Sequence, residues 1–335
     1  MAIPTSDGLK AGERSAAPVF VLGCVRSGTT LLYHMLLSAG NFAIYRTESS
    51  VFNLLEPRFG DLSVERNRRR LMKAWCDSKL FKVSGLEKDS ISAKVISECR
   101  NGGDFLRIVM SEIARQQGVA RWADTTPEHL LYLHRIKQTI PEALIVHIIR
   151  DGRDVALSTD KQGYIRRLPW DRKPPKMAAG LYWDWMVSKG RRDGRDLGDD
   201  YFEVHFEDLI REPRESLRGI GEFIGQDLDY DQILRVGIGS VSAPNTSFGA
   251  DGNFNPVGRW RSGFSNEELQ TFEGLVGRSL EENGYALATR NRDVLHRNDL
   301  RIMRAAYLKY FDTKLYLKAN TPLGELLVTR DLSWL

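Results

Sequence analysis

Apolar and polar positions along the chain predict strands and helices in turn. The apolar run PVFVLGC covers residues 18–24, and LLYHMLLSAG, over 31–40, is apolar on nearly every face. The first run has the length of a buried strand, and the second has the pattern of a buried helix that stops at Gly40. We therefore predict a strand, a tight loop and a helix over this region.

Four further segments have the composition of strands: NFAIYRT at 41–47, ARWADTT at 120–126, ALIVHIIR at 143–150 and YFEVHFED at 201–208. The segment ALIVHIIR is apolar on both faces, which is typical of a strand covered by helices on both sides. Helical patterns separate the predicted strands. The sequence therefore predicts an α/β fold with a central, mainly parallel sheet flanked by helices.

Charge and composition narrow the class of partner. The 335 residues include 48 Lys and Arg against 44 Asp and Glu, a net charge of +4. This mild excess lacks the dense basic tract of a nucleic-acid wrapper, so we expect no nucleic-acid partner and favour a small anionic ligand. Neither a secretory signal nor a run of ~20 apolar residues is visible, which predicts a soluble, cytoplasmic protein without a transmembrane segment. Cys24, Cys76 and Cys99 are too scattered for a disulfide framework or a zinc site, so we expect no metal.

The pattern changes near the C-terminal end. Residues 290–318 hold eight Lys or Arg against three acids, with apolar residues at near-helical spacing. We predict one domain over 15–289 and a helical appendage over 290–335. A solvated helix is the simplest interpretation of the appendage, and pairing of protomers in a homo-oligomer or contact with an acidic membrane surface remain alternatives. The charged segment 161–176 is predicted to be a loop or lid over the ligand edge of the sheet.

The turn after the first predicted strand has the composition of an anion cradle. Gly23, Arg26, Ser27 and Gly28 precede two threonines where the strand gives way to a helix, so backbone N–H groups converge there. A nucleoside triphosphate loop has Lys where Thr29 stands, and here Arg26 supplies the cation instead. A glycine-rich turn alone is more often only a turn, but this one carries more hydrogen-bond donors than a turn requires.

A second basic site follows the predicted strand at 143–150. Arg150 ends that strand and Ser158 lies eight residues later, so two helical turns bring both side chains toward one anion at the carboxyl edge of the sheet. Arg153 is better explained by a surface ion pair with Asp151 or Asp154.

Three segments carry a resemblance to a known family, in the order VRSGTTLL, IIRDGRDVALS and NPVGRWRSGF. Through them the chain resembles the sulfotransferases that use 3′-phosphoadenosine 5′-phosphosulfate (PAPS). The resemblance implies that the first loop holds the 5′-phosphosulfate, that the second segment holds the 3′-phosphate, that residues 245–248 lie beside the adenine, and that the late segment closes over the 3′-phosphate. The cofactor-binding residues implied in this way are Arg26, Ser27, Gly28, Thr29, Thr30, Arg150, Ser158, Thr246, Phe248, Gly258, Arg259 and Arg261.

Three positions depart from the cytosolic phenol and steroid members of that family. Leu31 stands where many of them have Trp, Arg26 where they have Lys, and Phe206 where the family often has Tyr. The first two features look more like the carbohydrate and protein-tyrosine sulfotransferases and their bacterial relatives. The resemblance implies an α/β fold of P-loop-like, three-layer architecture. It also implies an enzyme that transfers a sulfuryl group in line from PAPS to a hydroxyl acceptor, with a carbohydrate or glycolipid favoured. A tyrosine or phenolic acceptor, a P-loop kinase and a nucleotide-binding protein without transfer are the alternatives.

The acceptor hydroxyl needs a base, and two carboxylates are candidates. Glu48, in YRTESS, is the leading one, and Asp124, in WADTTPEHL, is the second. Each also has a structural interpretation, since an acid near a helix N-terminus stabilises that helix. Arg26 is the other predicted catalytic residue, because it would neutralise charge on the group being transferred.

Overall fold

A four-stranded parallel sheet lies at the centre of the computed structural model, which describes residues 11–160, 163, 165, 167–239, 255–289 and 298–328. The strands are β1 (Val19–Leu22), β2 (Ala123–Asp124), β3 (Leu144–Ile149) and β4 (Tyr201–His205). They pair in the order β2-β1-β3-β4. The chain leaves β1 toward one side and later returns to β3 on the other, and ligands of open α/β sheets bind at such a reversal of strand order.

Helices cover both faces of the sheet, which confirms the predicted α/β class. Alternate residues of β1 point to opposite faces: Val19 and Val21 pack with the core that includes α2 and α12, and Phe20 and Leu22 with the core that includes α7 and α10. All six residues of β3 are buried, as its continuous apolar run predicts. The described helices are α1 (Ala11–Arg14), α2 (Thr29–Ser38), α3 (Glu56–Phe59), α4 (Glu65–Cys76), α5 (Lys79–Ser84), α6 (Lys88–Glu98), α7 (Gly102–Gln117), α8 (Leu133–Thr139), α9 (Gly152–Asp160), α10 (Pro175–Arg195), α11 (Phe206–Arg211), α12 (Pro213–Ile224), α13 (Tyr230–Val236), α14 (Trp260–Gly263), α15 (Asn266–Glu282), α16 (Asn298–Asn320) and α17 (Gly324–Leu327), with a π-helical turn at Val51–Leu55 and 3₁₀ turns at Pro127–Tyr132 and Gly198–Asp200.

The prediction of a strand over 41–47 is wrong. This segment makes one isolated bridge, between Phe42 and Arg121. The side chain of Gln117 explains why pairing stops there, because its amide bonds both backbone groups of Ile44, at 2.7 Å to the nitrogen and 3.1 Å to the oxygen. A side chain thus satisfies the backbone groups that a strand would pair, and the segment runs on as a loop.

The C-terminal helix α16 is built into the core. Leu300, Tyr307 and Phe311 are buried in the same cluster as α10. The Tyr307 hydroxyl donates to Asp171 at 2.7 Å and accepts from the backbone nitrogen of Leu168 at 3.0 Å, so α16 also holds part of the segment predicted as a lid. The domain boundary at 289/290 stays a prediction, and residues 290–297 and 329–335 of the predicted appendage lie outside the described residues.

Two further features bear on the expectations from composition. In the described part of the chain, no helix combines the length and the apolarity needed to cross a membrane. Cys24, Cys76 and Cys99 are buried, free thiols.

The ion pair between α16 and α10 gives a test of this docking. Asp184 of α10 is completely buried, and Arg304 of α16 donates to it at 2.7 Å. Arg304→Met would leave a buried carboxylate without its cation. We expect the free energy of unfolding to fall by roughly 2–3 kcal/mol, less than for a fully enclosed pair because the guanidinium is partly exposed.

Chemical denaturation monitored by far-UV circular dichroism measures this change. Arg301→Met, at an exposed position of the same helix, is the matched control and should change stability by less than about 0.5 kcal/mol. Equal stability of the two variants would show that the ion pair between Arg304 and Asp184 does not stabilise the docking of α16.

Candidate functional site

Buried polar atoms without a hydrogen-bond partner are concentrated at the carboxyl edge of the sheet. Among the described residues, eight side chains carry such an atom, and four of these lie at this edge: Ser27, Ser50, Thr125 and Arg150. Ser27 follows β1, Thr125 follows β2, Arg150 follows β3, and the backbone nitrogen of Ser50 binds Thr126. Because buried polar groups are normally paired, this edge is suited to a polar ligand or bound water.

The loop after β1 exposes the N-terminus of α2. Gly28 precedes the helix at φ 99° and provides no side-chain cap, and Thr29 and Thr30 are the first helical residues. The first N–H groups of a helix have no partner within it, so they can bind an anion. Gly28 also has to be glycine for packing reasons, since an added Cβ would lie 2.4 Å from the ring of Phe206.

Arg26 connects the first loop to the second basic segment. It adopts φ 70°, a left-handed conformation that is uncommon outside glycine, and its Nε donates to the hydroxyl of Ser158 at 2.9 Å. Arg150 in turn donates to the backbone oxygen of Arg26 at 2.9 Å. Arg150 and Ser158, predicted to bind one anion together, are therefore both hydrogen-bonded to Arg26.

The guanidinium of Arg150 also fixes the late segment of the chain. It donates to the backbone oxygen of Pro256 at 2.6 Å and lies 4.5 Å from the ring centroid of Phe206. Burial lowers the pKa of Arg150, and the positive charges of Arg259 and Arg26 lower it further, against the opposite effect of nearby carboxylates. Like charges gathered in a buried place favour the binding of an anion.

Asp154 holds the predicted phosphate clamp at this edge. Its carboxylate accepts from the backbone nitrogens of Gly258, at 2.7 Å, and Trp260, at 2.8 Å. Burial raises the pKa of Asp154, and the charge of Arg150 and these two hydrogen bonds oppose that rise. Arg261 lies with its guanidinium carbon 4.4 Å from the Trp260 ring centroid. Thr246 and Phe248 fall in 240–254, outside the described residues.

The expectation that Arg153 forms a surface ion pair is wrong about its location. Arg153 is buried, pairs with Asp151 and Glu273 at 2.8 Å each, and lies over the Trp260 ring. Helix α15 supplies Glu273 and covers this pair, a long-range contact that sequence spacing does not show. Arg153 therefore anchors Trp260 from the side of the core.

The two candidate bases have different surroundings. Glu48 is half-buried, and the backbone of Ser50, two residues later, binds Thr126 beside the end of β2, which places Glu48 close to the carboxyl edge. Asp124 is buried and accepts from the backbone nitrogen of Thr126 at 3.0 Å and from Nδ1 of His129 at 2.9 Å.

Asp124 has the properties of a structural carboxylate. Nε2 of His129 accepts from the backbone nitrogen of Phe52 at 3.1 Å, so this imidazole is neutral and donates from Nδ1 to Asp124. Burial raises the pKa of Asp124, and the hydrogen bonds from His129, Ser49 and Thr126 oppose that rise. The carboxylate fixes the turn between β2 and the next 3₁₀ turn.

Some residues of this edge were not predicted from the sequence. Ser50 and Thr125 were not among the predicted site residues, although both carry buried polar atoms without partners. The adjacent polar residues in YRTESS and WADTT were the available signal. The role of Asp154 in holding the late segment had no local signal, because its partners lie about 100 residues further along the chain.

Comparisons with known proteins found a matching family model and similar solved structures. A family model described as "Sulfotransferase family" matches residues 18–230, more than half of the chain. The sulfotransferase domain of the Synechococcus PCC 7002 olefin synthase is a similar solved structure, with a TM-score of 0.51 and 22% identity over 86% of this chain and 98% of that domain. The sulfotransferase domain of the curacin biosynthetic pathway has a TM-score of 0.56 and 15% identity, over 81% and 98%. No curated protein sequence gave a significant match.

The close approach of Gly28 to Phe206 gives a test of the loop geometry. Gly28→Ala combines left-handed strain with a Cβ that clashes with a buried ring, so we expect a loss of roughly 2–4 kcal/mol in the free energy of unfolding. Gly219→Ala, within α12, is the control, because its Cβ would meet nothing nearer than 3.6 Å. The control should stabilise the protein by about 0.5–1 kcal/mol. A Gly28→Ala variant as stable as the control would contradict the loop conformation described.

Proposed function

The chain belongs to the sulfotransferase family, and from that premise we propose that it transfers a sulfuryl group from PAPS to a hydroxyl acceptor. The observation that carries the proposal is the hydroxyl of Ser27, which is buried without a partner among the described residues, in a loop held by Arg26 and Arg150. A phosphate or sulfate oxygen at the start of α2 would satisfy it.

The residues at the edge fit a nucleotide with two anionic groups. The N-terminus of α2, with Ser27 and Thr29, is proposed to bind the 5′-phosphosulfate. Arg150, Ser158 and Arg259 are proposed to bind the 3′-phosphate, with Gly258 and Arg261 of the late segment beside them. Arg26 lies between the two groups because it contacts Ser158 and belongs to the first loop.

In the proposed reaction, PAPS supplies a sulfuryl group carried on a phosphate leaving group. Arg26 and the N–H groups of α2 would neutralise the charge that grows on that phosphate as its bond to sulfur breaks. Glu48 would take the proton of the acceptor hydroxyl as the oxygen attacks sulfur. Asp124 is already committed to hydrogen bonds with Thr126 and His129, which is why Glu48 remains the preferred base.

Ligand binding to serine variants tests the donor assignment. Isothermal titration calorimetry would compare adenosine 3′,5′-bisphosphate with adenosine 5′-monophosphate and with ATP. The wild-type protein should bind the bisphosphate most tightly. Ser27→Ala should weaken both the bisphosphate and the monophosphate by roughly 10- to 100-fold through one lost charged hydrogen bond, while Ser158→Ala should weaken only the bisphosphate.

Two controls accompany these titrations. Ser27→Ala should leave the unfolding midpoint unchanged, since Ser27 Oγ has no partner among the described residues. Ser97→Ala, at an exposed position of α6, should bind all three ligands as the wild type does. Tighter binding of ATP than of the bisphosphate would contradict the proposal and favour a kinase.

Glu48→Gln tests the assignment of the base. We expect kcat for sulfuryl transfer to fall by about 10²–10⁴, with the dissociation constant of adenosine 3′,5′-bisphosphate unchanged, because a base acts on the acceptor and not on the nucleotide. The assay follows release of the bisphosphate in the presence of a panel of glycoside and phenol acceptors. Glu98→Gln, exposed at the end of α6, is the control. An unchanged kcat in Glu48→Gln would exclude Glu48 as the base.

A further inference from the structure

A cavity of about 560 Å³ lies between the C-terminal helices and the residues that follow Glu48 and β2. Its walls come from the π-helical turn at Val51–Leu55, the 3₁₀ turn at Pro127–Tyr132, and the helices α10, α16 and α17. The volume is within the range of small-molecule sites. None of the predicted catalytic or cofactor-binding residues lines it.

One segment of the chain runs from the proposed active site to the wall of the cavity. Asn53 lies five residues after Glu48, and the backbone of Ser50 and that of Phe52 are bound by Thr126 and His129. The 3₁₀ turn that contains His129 ends at Tyr132, another lining residue. The segment that carries the proposed base therefore continues directly into the cavity wall.

Two lining residues carry buried polar atoms without partners. Within the described residues, neither Oδ1 of Asn53 nor the hydroxyl of Tyr132 has a hydrogen-bond partner. Burial raises the pKa of Tyr132, so its hydroxyl keeps its proton and can donate. The Asn53 amide nitrogen is fixed by Glu128 at 2.6 Å, which leaves the oxygen as an acceptor. One acceptor and one donor are the pair that ligand hydroxyl groups satisfy.

The rest of the wall is aromatic and aliphatic, apart from Gly163 and three charged residues, Glu128, Lys314 and Lys318. Tyr182, Trp185 and Phe311 form a cluster with ring centroids 5.3–5.6 Å apart. Faces of this kind pack against the apolar face of a ring. The aliphatic residues of the wall come from the two turns, from α16 and α17, from the segment after α9 and from the residue after α17: Leu54, Leu131, Ile165, Leu315, Leu326, Leu327 and Val328.

From this lining we infer that the cavity binds the acceptor, and that the acceptor is a hydroxylated ring joined to an aliphatic chain. The ring packs on the aromatic cluster and binds Asn53 and Tyr132 through its hydroxyl groups, and the chain lies along the leucines of α16 and α17. The inference rests on the proposed function for the chemistry at the ring. It assigns helices α16 and α17 to substrate binding, a role that their sequence does not suggest.

Binding of octyl β-D-glucoside below its micelle concentration tests the inference, by calorimetry with and without adenosine 3′,5′-bisphosphate. Tyr132→Phe should weaken glucoside binding by about 3- to 10-fold, since it removes one hydrogen bond to the ligand and, among the described residues, none within the protein. Leu315→Trp should weaken glucoside binding by narrowing the cavity beside the aliphatic wall. Neither variant should change the dissociation constant of the bisphosphate.

Matched controls separate the cavity from general effects. Tyr316→Phe repeats the first change and Ile302→Trp places a Trp in the same helix as the second, both at exposed positions of α16, and both variants should bind the glucoside as the wild type does. Glucoside binding that is absent, or equal in wild type, Tyr132→Phe and Leu315→Trp, would overturn the inference, as would binding of p-nitrophenol in place of the glucoside. Failure of the bisphosphate to bind in every variant would instead overturn the proposed donor, which the glucoside titration does not measure.

Discussion

The buried guanidinium of Arg150 holds the carboxyl edge of the sheet together. It ends β3, donates to the backbone oxygens of Arg26 and Pro256, and packs on Phe206. Three segments that are remote in sequence, the loop after β1, the start of α11 and the segment before α14, meet on this one side chain. A cation buried in this way is costly unless its hydrogen bonds are made, so the three segments are fixed relative to one another. The positions of Ser27 and of the N-terminus of α2 follow from that arrangement.

The polar atoms at this edge are of two kinds. Asp124 and Asp154 are fully engaged in hydrogen bonds that fix local structure, the first with Thr126 and His129 and the second with the backbone of the late segment. The side-chain hydroxyls of Ser27 and Thr125 are buried and have no hydrogen-bond partner among the described residues. The first kind builds the site, and the second is proposed to meet the ligand. Asp124 is therefore assigned a structural role and not the role of the base, although a carboxylate at this position was a candidate base in the sequence.

Buried polar contacts also hold the C-terminal helices that line the cavity. Tyr307 and Arg304 of α16 bind Asp171 and Asp184, so the helix is held by buried polar contacts as well as by apolar packing. A helix held in this way can form one side of a defined cavity. Asn53 and Tyr132, like Ser27, each carry a buried polar atom without a hydrogen-bond partner among the described residues. The donor and the acceptor are thus each proposed to be recognised by buried polar atoms that have no partner among the described residues. The segment after Glu48 joins the two binding sites.

The sequence by itself determined the class of fold and the family, because both depend on local patterns. The apolar run of β3 has to be a buried strand, and a glycine-rich turn with Arg26 and Ser27 has to present N–H groups at the start of α2. Only the tertiary structure decided what contacts lie between distant segments. It showed that Gln117 replaces strand pairing at Ile44, that Arg153 is buried beneath α15, and that α16 closes a cavity where the sequence suggested a solvated appendage. Each of these depends on partners tens to hundreds of residues away, and a pattern read over neighbouring residues contains no information about such partners.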